Sequence, residues 1–136
     1  MLRRSLLSLI ASAITVAAFA AQETICGILK LSSPGKPALK LNTGALIPLS
    51  GDESTLGVFL DPRVRDLEFE LTGRKTPQGV FLVDPIHTKA MYVNKDGQKL
   101  FVTYWCDICS IRTYTPGQCW CCQEDTQLDL RDRYDN

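Results

Sequence analysis

Five of the six cysteines in this 136-residue chain fall between positions 106 and 122. A disulfide framework more often spreads its cysteines along the chain. Concentration in one terminal patch predicts a metal site or a redox centre, and it obliges the chain to turn sharply more than once within a short stretch. With Cys121 set aside, the segment reads C-x2-C, nine residues, C-x2-C, pairing Cys106 with Cys109 and Cys119 with Cys122. A C-x2-C segment folds into a tight turn that aims both sulfurs at one ion. Two such turns complete the tetrahedron that zinc adopts with sulfur at about 2.3 Å. Thr115-Pro116-Gly117 bends the chain just before the second pair.

The stretch Tyr104-Trp105-Cys106 through Pro116-Gly117-Gln118-Cys119-Trp120-Cys121-Cys122 resembles zinc-ribbon and heavy-metal-binding modules, which open on Tyr-x-Cys and close on Pro-Gly-x-Cys-x-x-Cys. The resemblance implies that Cys106, Cys109, Cys119 and Cys122 are ligands of a structural Zn2+. Two features depart from the pattern. Cys121 is an extra thiol inside the second pair and competes with Cys122 for the fourth ligand position, and Gln123 stands where a glycine usually follows the last cysteine. Four ligands leave Cys26 and Cys121, which are expected either to pair as a disulfide tying the first strand to the tail or to serve as alternate ligands. Two other readings compete with zinc. An oxidising compartment would favour disulfides among these residues. Trp105-Cys106-Asp107-Ile108-Cys109 is superficially similar to a thioredoxin Trp-Cys-x-x-Cys, although it follows a predicted hairpin and not the first strand of a βαβ unit.

The other end of the chain predicts export. Arg3 and Arg4 form a positive start, Leu6 to Phe19 is apolar apart from Ser8, Ser12 and Thr15, and Ala18-Phe19-Ala20 is a small-x-small cleavage pattern. A membrane span needs about 20 apolar residues, more than this segment has, so a cleaved leader over residues 1–20 is preferred to an uncleaved anchor. Cys26 lacks the preceding small residue that lipoprotein processing requires. Cleavage leaves 116 residues, one ordinary domain, and lowers the Lys and Arg count from 15 to 13 against 15 acidic residues. Nucleic acid is therefore not an expected partner, since binding it takes a basic face to displace counterions. The destination is predicted to be periplasmic or extracellular, with no stable membrane span after cleavage.

Between these ends the sequence reads as strands. Gly27 to Ser32, Ala38 to Asn42 and Ala45 to Leu49 are separated by Ser33-Pro34-Gly35 and Thr43-Gly44. A short helix is predicted from Glu53 to Leu60, with Asp52 or Ser54 as its cap and Asp61-Pro62 as its stop. Asp66 to Gly73 alternates strictly, placing Leu67, Phe69 and Leu71 on one face and Glu68 and Glu70 on the other. Val80 to Ile86 is broken at Asp84-Pro85, and Asn94-Lys95-Asp96-Gly97 joins Lys89 to Val93 with Lys99 to Trp105 as a hairpin. The fold class is mainly β. The element order resembles the OB-fold, a five-stranded barrel with a helix between its third and fourth strands, and an antiparallel sheet or meander is the alternative. The expected division is leader 1–20, barrel body 21–88, hairpin and cysteine tail 89–127, and a frayed end over 128–136.

No catalytic constellation is legible. His87 is the sole histidine and is expected at the surface, and Glu68 with Glu70 reads as a solvated strand face. Trp105 and Trp120 are expected to shield the thiols, and Arg112 to offset their charge. The expected function is that of a small binding module, not an enzyme, whose barrel face or Thr113-Tyr114 loop meets a protein or small molecule. Buffering of zinc or copper is the first alternative, and thiol-disulfide chemistry at Cys106 and Cys109 the second.

Overall fold

A computed structural model describes residues 21–133, and the predicted leader lies outside the described residues. Five strands and a helix make the body: β1 (Glu23–Ser33), β2 (Lys36–Lys40), β3 (Leu46–Ser50), α1 (Glu53–Phe59), β4 (Glu68–Lys75) and β5 (Phe81–Val83). β1 pairs antiparallel with β2, β2 with β3, and β3 runs parallel to β5. β5 then pairs antiparallel with β4, and β4 returns to β1. The ring is closed, so the body is a five-stranded barrel with its helix between the third and fourth strands, as the OB-like order predicts.

Closure depends on β1 serving two neighbours. Residues 23–28 pair with β4 while residues 28–33 pair with β2. Gly27 sits at the changeover, where a Cβ would fall 2.5 Å from the Lys40 carbonyl oxygen. Only glycine lets the two backbones approach that closely. Gly73 plays the same part where β4 meets β5, with the Leu82 carbonyl in the space a Cβ would need.

The alternation in β4 is realised as predicted. Phe69 and Leu71 are buried in the barrel with Leu29, Leu39, Phe81 and Val93. Glu68 is exposed, and Glu70 accepts an ion pair from Lys99 at 2.6 Å. Helix α1 starts where Asp52 Oδ1 accepts the Thr55 N–H at 2.8 Å, and it plugs one end of the barrel with Val58 and Phe59. The Phe59 ring meets Phe69 edge-on at 6.0 Å.

Four further strands extend the sheet beyond the barrel. β6 (Met91–Lys95) pairs with β4, and β7 (Gln98–Cys106) pairs with β6. β8 (Ile111–Thr113) and β9 (Gln127–Arg131) both pair with β7 at Tyr104 and Trp105, so they flank it on opposite sides. Two expectations are corrected here. Residues 128–131 are not frayed: Leu128 and Leu130 pack against the core, and Asp129 pairs with Arg112 at 2.7 Å. Thr113 and Tyr114 are not an exposed loop, because Thr113 belongs to β8 and both side chains are half-buried.

A polar network built on the buried Asp61 and Tyr104 joins barrel to tail. The Tyr104 hydroxyl donates to Asp61 Oδ2 at 2.9 Å, and Arg63 Nε donates to both Asp61 oxygens at 3.1 Å. Arg63 Nη1 reaches on to the Thr126 carbonyl at 2.8 Å. Burial pushes the Asp61 carboxyl up, but donation from Arg63 and Tyr104 outweighs it and holds the group below the ordinary carboxylate value. Burial and the adjacent carboxylate push the Tyr104 hydroxyl far above its usual range, so it stays protonated.

Candidate metal centre

Each cysteine pair sits in a turn that a strand pairing closes. Cys106 is the last residue of β7 and pairs with Ile111 of β8, so Cys109 lies inside the connecting turn. The second pair lies in a loop pinched by a bridge between Gln118 and Asp125. Within it the Cys119 N–H donates to the Glu124 carbonyl and the Gln123 N–H to the Cys119 carbonyl, both at 2.7 Å. At the base of the loop Thr126 is anchored twice to the Gly117 carbonyl, by its N–H at 3.0 Å and its hydroxyl at 2.7 Å.

The two turns share a conformation that the sequence does not advertise. The residue after each pair has a left-handed backbone, Ser110 with φ 54° and Gln123 with φ 64°. This is the requirement behind the glycine that the resemblance places after the last cysteine. Here a glutamine meets it at a conformational cost of about 1–2 kcal/mol.

These turns bring the Sγ atoms of Cys106, Cys109, Cys119 and Cys122 within 4.8 Å of one another. Cys106 and Cys122 are 3.5 Å apart. A disulfide would place its sulfurs at about 2.05 Å, whereas the edge of a tetrahedron with 2.3 Å zinc–sulfur bonds is about 3.8 Å. Cys106 and Cys119 are buried, at 2% and 1% exposure, and Cys109 and Cys122 are half-buried. Among the described residues this is the one group of three or more His, Cys, Asp or Glu side chains gathered closely enough to hold a metal ion. The donor set, four thiols gathered within 4.8 Å, fits a thiophilic ion such as zinc.

Backbone amides are already aimed at the sulfurs. The Cys109 N–H points at Cys106 Sγ at 3.4 Å. The N–H groups of Cys122 and Cys121 both donate to Cys119 Sγ and bring that thiol down to about 7. The Glu124 N–H also lowers Cys122, although burial and its contact with Cys106 outweigh that donation and leave it raised. Cys109 is raised most, because its thiol is hydrogen-bonded first by Cys121 and, with burial, also by Cys122 and Cys119. Donors pointed at sulfur favour the thiolate, the form that binds metal.

The remaining predicted residues are dispersed. Cys26 lies on β1 with its thiol 3.8 Å from Glu70 Oε1, while Cys121 is exposed. All six cysteines are free thiols in this structure, Cys26 and Cys121 among them. Burial, Glu70 and Glu68 raise the Cys26 thiol and keep it protonated. Trp120 does not shield the thiols. It is 76% exposed, and Ile108 in the first turn is 70% exposed. The reason is geometric: a turn that points its cysteines inward points the residue between them outward. Trp105 is half-buried under Arg112, whose guanidinium lies 4.7 Å from the ring centroid. Arg112 is drawn to Asp129 and to the Thr103 hydroxyl at 2.8 Å. His87 is exposed, outside the thiol cluster.

One concavity lies on the barrel wall, where β1 and β2 diverge. It measures about 710 Å³ and is lined by Ile25, Cys26, Ile28, Lys40, Leu41 and Glu68 among others. That size is within the range of ligand pockets. No protein-family model matches the chain, and no curated protein or solved structure matches it.

Proposed function

We propose that the chain is a small exported binding module whose C-terminal hairpins are locked onto a β-barrel by a structural zinc ion held by Cys106, Cys109, Cys119 and Cys122. The observation that carries this reading is the convergence of four thiols within 4.8 Å, on turns whose amides already point at the sulfurs. Four thiolates fill a tetrahedral ion and leave no position for substrate or water, which separates a structural site from a catalytic one. Zinc's contribution is to hold the two turns together, and this chain's residues do the rest. The amides balance thiolate charge, the Gln118–Asp125 bridge sets the second turn, and Arg63 secures Thr126. The groove between β1 and β2 is the face offered to a partner, since it combines Ile25, Ile28 and Leu41 with Lys40 and Glu68.

Native mass spectrometry of the protein purified without reductant, together with a count of free thiols, tests this directly. One tightly held zinc per chain is expected, with Cys26 and Cys121 free. A metal-free, fully oxidised protein would refute the reading. A second reading, uptake and release of zinc or copper(I), is favoured by one observation: a fifth thiol, Cys121, stands exposed beside the four.

A further inference from the structure

Strand β1 has two edges, and over its first half only one of them is paired. Residues 23–28 pair with β4, whereas β2 joins β1 only from Ile28 onward. Among the described residues β1 has no strand neighbour besides these two. The bonds already made show which way each backbone group points. In an antiparallel ladder a residue turns its N–H and C=O to the same neighbour, and the next residue turns to the other side. Leu29 gives its N–H to the Leu67 carbonyl and accepts the Asp66 N–H, both at 3.0 Å, so the backbone groups of Leu29, Gly27 and Ile25 face β4. Those of Thr24 and Cys26 face the other way. The residue opposite Thr24 agrees: Thr72 directs its N–H to Ala90 and its carbonyl to Asp84, both at 2.9 Å and both away from β1.

The open edge runs along the concavity of about 710 Å³. The same alternation sorts the side chains around it. Ile25 and Leu41 lie on the inner face, packed against the core on either side of the gap. Cys26, Ile28, Lys40 and Glu68 lie on the outer face, since Ile28 is the cross-strand partner of both Lys40 and Glu68. Unpaired donors and acceptors beside an apolar pit are a template for a further strand. We infer that the groove takes an extended segment of a partner polypeptide, which adds to the free edge of β1 by exchanging backbone hydrogen bonds with Thr24 and Cys26. The inference rests on the groove as the binding face and adds the kind of partner and its bonding. Residues 23–27 span about 17 Å, so a guest of about five residues covers the edge. Alternate guest side chains are apolar and close over Ile25 and Leu41. Those between are polar, with an acidic one beside Lys40, which has no ion-pair partner among the described residues. Lys40 borders the guest directly, whereas Glu68 stands one strand further off on β4.

Peptides selected from a random phage-displayed heptapeptide library against the purified protein are the probe, and amide hydrogen exchange by NMR reads the edge residue by residue. In the free protein the Ile25 and Gly27 amides are expected to exchange slowly and those of Thr24 and Cys26 fast. A bound peptide is expected to slow Thr24 and Cys26 by about tenfold or more. N-methylation of the peptide at the residues paired with Thr24 and Cys26 is expected to weaken binding about tenfold per methyl, and at the residues between by less than about twofold. Cys26→Pro removes one donor from the open side, where proline is tolerated, and is expected to weaken binding by the same factor. The methylation pattern is read on unaltered protein, so it decides the matter even if that variant does not fold. A peptide that perturbs Ile25 and Leu41 but leaves Thr24 and Cys26 exchanging fast would overturn strand addition and keep the groove as a binding face. Slow exchange at Thr24 and Cys26 in the free protein would overturn the open edge. A library that yields no peptide at the groove would overturn the groove reading and the inference together.

Discussion

Tyr104→Phe removes one hydroxyl and nothing else, and it tests whether the barrel and the tail are bound through Asp61. The hydroxyl is fully buried and donates to Asp61 Oδ2 at 2.9 Å. Hydrogen bonds to charged groups contribute about 1.5–3 kcal/mol. The lower part of that range applies, because Arg63 Nε still donates to the same oxygen at 3.1 Å. A loss of about 1.5–2 kcal/mol at neutral pH is expected, an equilibrium constant about 10 to 30 times smaller. The effect should depend on pH. Asp61 has a folded-state value below its unfolded one, so its contribution is present above the unfolded carboxylate value, near 3.9, and is lost as pH falls through the folded value. Losing the Tyr104 bond raises the folded value, so the variant has less stability to lose on acidification and the gap between the two proteins should narrow as pH falls. Once both carboxyls are protonated, the two proteins should lie closer together. Urea titrations followed by far-UV circular dichroism at pH 7 and about pH 3 would measure this. A difference below about 0.5 kcal/mol at pH 7, or one that grows on acidification, would refute the assigned role of Asp61.

Three further outcomes are expected. Gln123→Gly should stabilise the tail by about 1 kcal/mol, since glycine takes the left-handed backbone freely, and slower proteolysis within residues 117–126 would register the gain. Asp52→Ala should cost about 1 kcal/mol through loss of the α1 cap. Because donation from Thr55 lowers the Asp52 carboxyl, that difference should fade as pH drops through the carboxylate range, and thermal melts at pH 7 and about pH 3 would follow it. Cys26→Ser should leave metal stoichiometry unchanged, because Cys26 faces Glu70 on the barrel. A lower zinc content in that variant would place a ligand on β1.

Much of the barrel was legible because its strands are marked by local signals. β4 carries strict alternation, the Asn94-Lys95-Asp96-Gly97 turn sits between two strand-like runs, and Asp61-Pro62 ends the helix. The parallel pairing of β3 with β5 left no trace, since it rests on contacts between residues more than thirty apart, such as Leu49 with Phe81. β9 did have a signal, Leu128 and Leu130 alternating with Asp129 and Arg131, but so short an alternation beside the chain's end is also what a frayed terminus shows. The cysteine spacing predicted the four thiols that now converge. It did not predict the amides aimed at them, nor the Asp61–Arg63–Tyr104 network. Those bonds join side chains brought together only by the closed barrel, as Tyr104 is 43 residues from Asp61.

β9 covers the flank of β7 from Phe101 to Trp105. If β9 lifts away, that row of backbone donors and acceptors is left bare, with Val102 and Tyr104 beside it. An uncovered strand of this kind is a template for another polypeptide. Opening the tail should therefore announce itself as self-association that rises with concentration, and light scattering would register it before the barrel itself melts.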